Sequence, residues 1–179
     1  MKKILTAVML TIAIVAISCS GGNSGSGKSG SKEKTPEQIA KLGPEAFSDD
    51  VNDIWVNALD QMDALLDKYP QINTDFEKES NEIVDGAIRK VIKYGAFLDG
   101  KSELEKTEYL LKCKQPPVKN GTDALTPFQM KLNNRFDEFK EYGNGLYDNI
   151  TKLNVMLLYL KHDVLRENHP SIAEKYGVK

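Results

Sequence analysis

An all-α fold, an antiparallel bundle of three or four main helices with short flanking ones, is predicted by three features of this 179-residue sequence. Apolar residues recur at alternating spacings of four and three over long stretches, the period of one helix face. Helix-start signals stand ahead of those stretches, and proline or glycine follows them. No segment shows the two-residue alternation of a half-buried strand.

Thr35-Pro36-Glu37-Gln38 places a cap, a first-turn proline and a capping-box glutamine before a short helix that Gly43-Pro44 ends. The next helix is expected after Ser48, with Asp49 and Asp50 near its positive end. Its apolar series is Val51, Trp55, Ala58, Met62, Leu65 and Tyr69, and Pro70 stops it. A third helix, from about Thr74 to Leu98, has a wider apolar arc that includes Phe76, Val84, Ile88, Val91 and Phe97, so it touches neighbours on two sides. Ser102 and Glu105 form a second capping box, opening a short helix through Leu104, Leu110, Leu111 and Cys113 that Pro116-Pro117 closes. Lys114 to Leu125, with Asn120 and Gly121, is the principal loop.

Thr126-Pro127 with Gln129 opens the last major helix. The series Leu132, Phe136, Phe139, Gly143, Leu146, Ile150, Leu153, Leu157, Leu160 and Val164 predicts a long C-terminal helix of about 40 residues, or roughly 60 Å. Gly143-Asn144-Gly145 either bends or breaks that rod, since each glycine costs about 1 kcal/mol relative to alanine. A final short turn takes in Ser171 to Tyr176. Short connections let successive helices cover each other's apolar faces within one chain, which favours a monomer; the same spacing would also serve a dimer through an exposed part of the last helix.

The segment ahead of Thr35 has a different composition. Lys2 and Lys3 precede an apolar run from Ile4 to Ile17, and Ala16-Ile17-Ser18 is a small-residue cleavage context before Cys19. A run of 14 residues falls short of the roughly 20 that a spanning helix needs. The stretch resembles a bacterial lipobox, which implies a signal peptide over 1–18 and acylation of Cys19, palmitate included. Ala16 stands where most such signals have leucine, a looseness known among spirochaetal lipoproteins. Ser20 to Lys34 follows with five glycines and five serines in fifteen positions. That is a tether composition, with a random-coil reach of roughly 20 Å.

Thr35 to Lys179 leaves 145 residues for one ligand-binding domain. Of the chain's 24 basic and 26 acidic residues, five lysines and one glutamate lie before Thr35, so the domain carries 19 against 25, six net negative charges. A general nucleic-acid surface is thereby disfavoured. Cys113 is the domain's one cysteine, which excludes an internal disulfide and leaves a buried small hydrophobe or an intermolecular bridge.

Enzyme chemistry has little to work with. His162 and His169 are the two histidines, and on one helix they would stand about 10.5 Å apart along the axis. Asp163 and Glu167 form a solvated acidic pair without matched partners, and no phosphate loop, nucleophile elbow, paired-cysteine metal motif or cofactor motif is present. Asn120-Gly121-Thr122 and Asn149-Ile150-Thr151 match the glycosylation pattern, which carries no meaning in a bacterial lipoprotein.

Taken together, the signal with its Ile-Ser-Cys-Ser junction, the Gly/Ser/Asn/Lys tether and the acidic helical domain resemble the outer-surface lipoproteins of Borrelia spirochaetes. Within that group the size and helical character resemble the factor H binding protein A type of relapsing-fever species. The resemblance implies a protein anchored to the outer membrane through acylated Cys19, facing outward, that captures host complement factor H for immune evasion. The loop group Lys112, Lys114, Lys119, Asn120, Asp123 and the adjoining Lys131 is the expected contact region, being locally basic in an acidic domain. Adhesion to fibronectin, recruitment of plasminogen through Lys179, and a periplasmic structural role are the alternatives.

Overall fold

The computed structural model describes residues 33–179, one compact unit; the signal, Cys19 and the tether up to Lys32 lie outside the described residues. The architecture is an all-α bundle. Its elements are α1 (Pro36–Ile39), α2 (Pro44–Lys68), α3 (Thr74–Asp99), α4 (Glu103–Lys112), a hairpin of β1 (Val118–Lys119) and β2 (Thr122–Asp123), α5 (Leu125–Asn133), α6 (Phe136–Tyr142), α7 (Leu146–Thr151), a 3₁₀ segment Lys152–Leu160, α8 (His162–Asn168) and α9 (Pro170–Tyr176).

Both capping boxes form as the sequence predicts. Thr35 and Gln38 bond reciprocally at α1, and Ser102 and Glu105 at α4. α2 begins a turn earlier than expected, with Gly43 at its cap and Pro44 in its first turn. Gly43-Pro44 therefore both ends one helix and opens the next, because proline's fixed φ suits a first helical turn. Ser48 is consequently inside α2, buried, rather than at its cap.

α2 and α3 run antiparallel. Phe47 near the start of α2 meets Tyr94 near the end of α3, ring centroids 5.3 Å apart, and Tyr69 after α2 meets Phe76 at the start of α3 at 5.9 Å. Trp55, Met62, Val84, Ile88 and Val91 fill the seam with essentially no exposure. α4 packs on α2, and the 3₁₀ segment packs on α3, supplying Leu153 and Met156 to the same core. α3 thus has the two-sided contact that its wide apolar arc requires.

The expected 40-residue rod is instead a chain of short helices. Gly143, Asn144 and Gly145 all have positive φ, 81°, 56° and 64°, a run that no right-handed helix accommodates. The segment is therefore a break between α6 and α7. Further departures occur at Val155, Lys161 and His169, the last preceding Pro170, whose ring disfavours helical backbone before it. The apolar spacing survives because each short helix turns the same side to α2 and α3: Leu132, Phe139, Leu146, Ile150, Leu153 and Leu160 are all buried. Phe136, a member of the apolar series, is not part of the core: it is 45% exposed and stacks edge-on against Tyr147.

Candidate functional site

The loop after α4 is more ordered than its prolines suggest. Asn120 and Gly121 both take positive φ, forming a two-residue turn that pairs Val118 with Asp123 and Lys119 with Thr122. Asn-Gly is the dipeptide best suited to such a turn, since both central residues need left-handed backbone. That signal was present in a sequence otherwise free of strand patterning.

α2 holds the hairpin in place with a buried amide. Asn52 accepts from the Val118 amide at 2.7 Å and donates to the Val118 carbonyl at 2.9 Å, so its side chain pairs with β1 as a neighbouring strand would. One turn back, the Ser48 hydroxyl donates to the Lys112 carbonyl at 2.7 Å, satisfying an end group of α4. Neither residue stands out in the sequence, because a polar residue within an apolar series reveals its role only once its partner is known.

Each of the expected basic contacts meets an acid on one edge of α2. Lys112 pairs with Glu45 at 2.9 Å, Lys114 with Asp49 at 2.7 Å and Lys119 with Asp60 at 2.6 Å. Lys131 reaches Asp63 at 2.9 Å and Asp67 at 2.7 Å. The hydrogen bond to Glu45 holds the Lys112 ammonium above the ordinary lysine range. At Lys131 burial pulls downward, but the bonds to Asp67 and Asp63 outweigh it and the net shift is upward. The group is therefore a ladder of ion pairs rather than a set of free cations.

The remaining loop residues have local tasks. Asn120 sits at the exposed hairpin tip. Asp123 accepts from the Leu125 amide at 2.7 Å, the Thr126 amide at 3.2 Å and the Thr126 hydroxyl at 2.5 Å, so Asp123 supplies the start of α5 expected from Thr126. The Thr126 hydroxyl foremost, with the two amides, holds its carboxyl below the usual range against the opposing effect of burial. Lys179 lies apart from the loop; its backbone carbonyl accepts from Arg166 at 2.5 Å.

Cys113 follows α4 with its thiol partly buried, pushed up to about 11 by desolvation and directed to the Tyr109 carbonyl. A thiol so raised is almost wholly protonated at neutral pH and is a poor nucleophile. His162 forms the one histidine–carboxylate pair among the described residues, Nδ1 lying 2.7 Å from Asp99. Its Nε2 is buried without a hydrogen-bond partner and abuts Gly95. The pair clamps α8 to the end of α3 and presents no free nitrogen to solvent. His169 lies beyond α8, on a different segment from the one His162 opens.

α4 departs from the sequence reading in its orientation. Tyr109 is its buried residue, with Leu110 and Cys113 packed beside it, and the Tyr109 hydroxyl donates to the Leu42 carbonyl at 2.8 Å. Leu104 and Leu111, two of the apolar residues through which the sequence runs this helix, are exposed. Ten residues offered two candidate apolar arcs, and the aromatic one won because Tyr109 fits against Phe47 and Phe97 at 5.1 and 5.4 Å.

Compared with known proteins, the chain matches no family model, no curated protein and no solved structure.

Proposed function

We propose that this chain is a lipid-anchored protein of the bacterial outer surface that captures host complement factor H. The anchor is acylated Cys19, the tether holds the bundle in water, and the captured regulator limits complement deposition nearby. The observation that carries the reading is the clamped loop. Asn52, Ser48 and the ion pairs along α2 hold a surface projection in one conformation, so a partner meets it with little ordering left to do. Lys114 and Lys119 keep 41% and 48% of their side-chain surface exposed. An ammonium has three donors, and one aspartate does not exhaust them.

The test is binding of the chain from Ser20 onward to purified factor H by surface plasmon resonance. A saturable one-to-one complex is expected, with Lys114→Ala/Lys119→Ala binding more weakly while the melting temperature falls only slightly, since exposed ion pairs contribute at most about 1 kcal/mol each. Absence of any factor H complex overturns the reading. Binding of plasminogen or fibronectin in its place moves the role to adhesion, and protease protection on intact cells moves it to the periplasm.

A further inference from the structure

The outward side of α4 carries the two most exposed large apolar side chains among the described residues. Leu104 is 82% exposed and Leu111 79%, and their seven-residue separation places them about two turns, or 10.5 Å, apart on one face. Single exposed leucines are ordinary, but two in register on one short helix form a strip. Thr107 and Glu108 lie exposed between them. The other charged residues of α4 are all engaged: Glu103 with Lys106, Glu105 with Lys101, and Lys112 with Glu45. Glu108 has no ion pair among the described residues; Lys112, one turn on, lies within its electrostatic reach but is bonded to Glu45, so the strip presents a carboxylate without a contact partner between two apolar anchors.

We infer that Leu104, Glu108 and Leu111 form a docking face for a partner protein that sets a lysine or arginine between two apolar depressions. The inference rests on the capture role proposed above and names its apolar anchor, on the helix that leads directly into the clamped loop. A second copy of the chain fits this face badly. An antiparallel α4 pair that seats Leu104 on Leu111 sets each Glu108 beside its twin, two like charges brought together out of water. Ser20 to Lys34 offers three lysines but no large apolar side chain. A basic partner with apolar pockets satisfies all three positions, the arrangement in which a few central side chains carry most of the affinity.

The experiment uses the chain from Ser20 onward, with purified factor H, plasminogen and fibronectin immobilised separately. The variants are Leu104→Ala/Leu111→Ala and Glu108→Lys. Both alter exposed positions, so melting temperatures are expected to match the parent. Each should weaken the complex by about tenfold or more, the scale of a hot-spot truncation. Factor H binding that both variants retain overturns the docking face and leaves the capture role standing. Binding of plasminogen or fibronectin alone, lost in the variants, supports the face and removes factor H. Failure of the parent to bind any of the three overturns both proposals. A parent dimer in sedimentation equilibrium that the double variant dissolves makes a second copy the occupant and overturns the inference.

Discussion

At the scale of single residues the bundle is most exposed to damage at Gly95. A Cβ there would stand 2.4 Å from His162 Nε2, 2.7 Å from its Cδ2 and 3.0 Å from the Tyr159 carbonyl. The ring cannot retreat without giving up its 2.7 Å bond to Asp99, and the carbonyl belongs to the 3₁₀ segment packed on α3. Gly95→Ala is therefore expected to destabilise by about 2 kcal/mol, the scale of overpacking a closed core. Gly86, with nothing within 4 Å of its would-be Cβ, is the control: alanine there should raise helix stability by up to about 1 kcal/mol. Chemical denaturation of the two variants measures both. Equal effects would show that the histidine contact does not govern the site.

At the scale of elements, the join between α2 and the hairpin rests on Asn52. Replacing it with alanine strips partners from both the amide and the carbonyl of Val118, at a cost of about 2 kcal/mol for two part-buried polar groups. The hairpin contributes little apolar surface of its own, so the loss should be felt locally first. Amide exchange at Val118 is expected to rise in Asn52→Ala while the α2 and α3 core amides stay protected. Exchange rising equally across the bundle would mean that the hairpin and core unfold together. α1 to α4 were legible as helices from their apolar periods and, for α1 and α4, their capping boxes, but α2 starts at Gly43-Pro44 rather than after Ser48, and α4 turns Tyr109 rather than Leu104 and Leu111 inward. The C-terminal third was not, because an apolar series spaced by fours and threes describes a long helix and a row of short ones equally well. Gly143, Asn144 and Gly145 decide between them through backbone conformation, which spacing cannot express. The candidate site shows the same division: its lysines could be named from local charge, whereas the acids that pair with them lie about 60 residues away on α2.

Across the whole molecule the last helix is tied back to the core by charge, and that tie makes stability depend on pH. Tyr176 and Lys175 of α9 both reach Asp85 of α3, at 2.6 and 3.0 Å. Burial pushes the Asp85 carboxyl upward, but the bonds from Tyr176 and Lys175 prevail and leave it below the ordinary aspartate value. A depressed folded value means that the folded state releases this proton more readily than the unfolded one. Its stabilisation is complete above the unfolded pKa, about 3.9 for aspartate, and is lost as pH falls through the folded value. The tyrosine works in the opposite sense. Burial foremost, and then Asp85, raise the Tyr176 phenol, and burial with Asp50 raises Tyr94 likewise. Their contribution is whole below the unfolded tyrosine value near 10 and declines as pH rises through the folded ones. The melting temperature should accordingly hold a plateau between about pH 5 and pH 9 and fall on both sides. Asp85→Asn should lower the plateau and flatten the acid limb, since the carboxylate whose protonation steepens it is gone. Circular dichroism melts across pH 2 to 11 on both proteins decide the matter: an acid limb of unchanged slope in the variant would place the sensitivity in the other carboxylates held below their ordinary range, Glu45, Glu79 and Glu105 among them, rather than in the tie between α3 and α9.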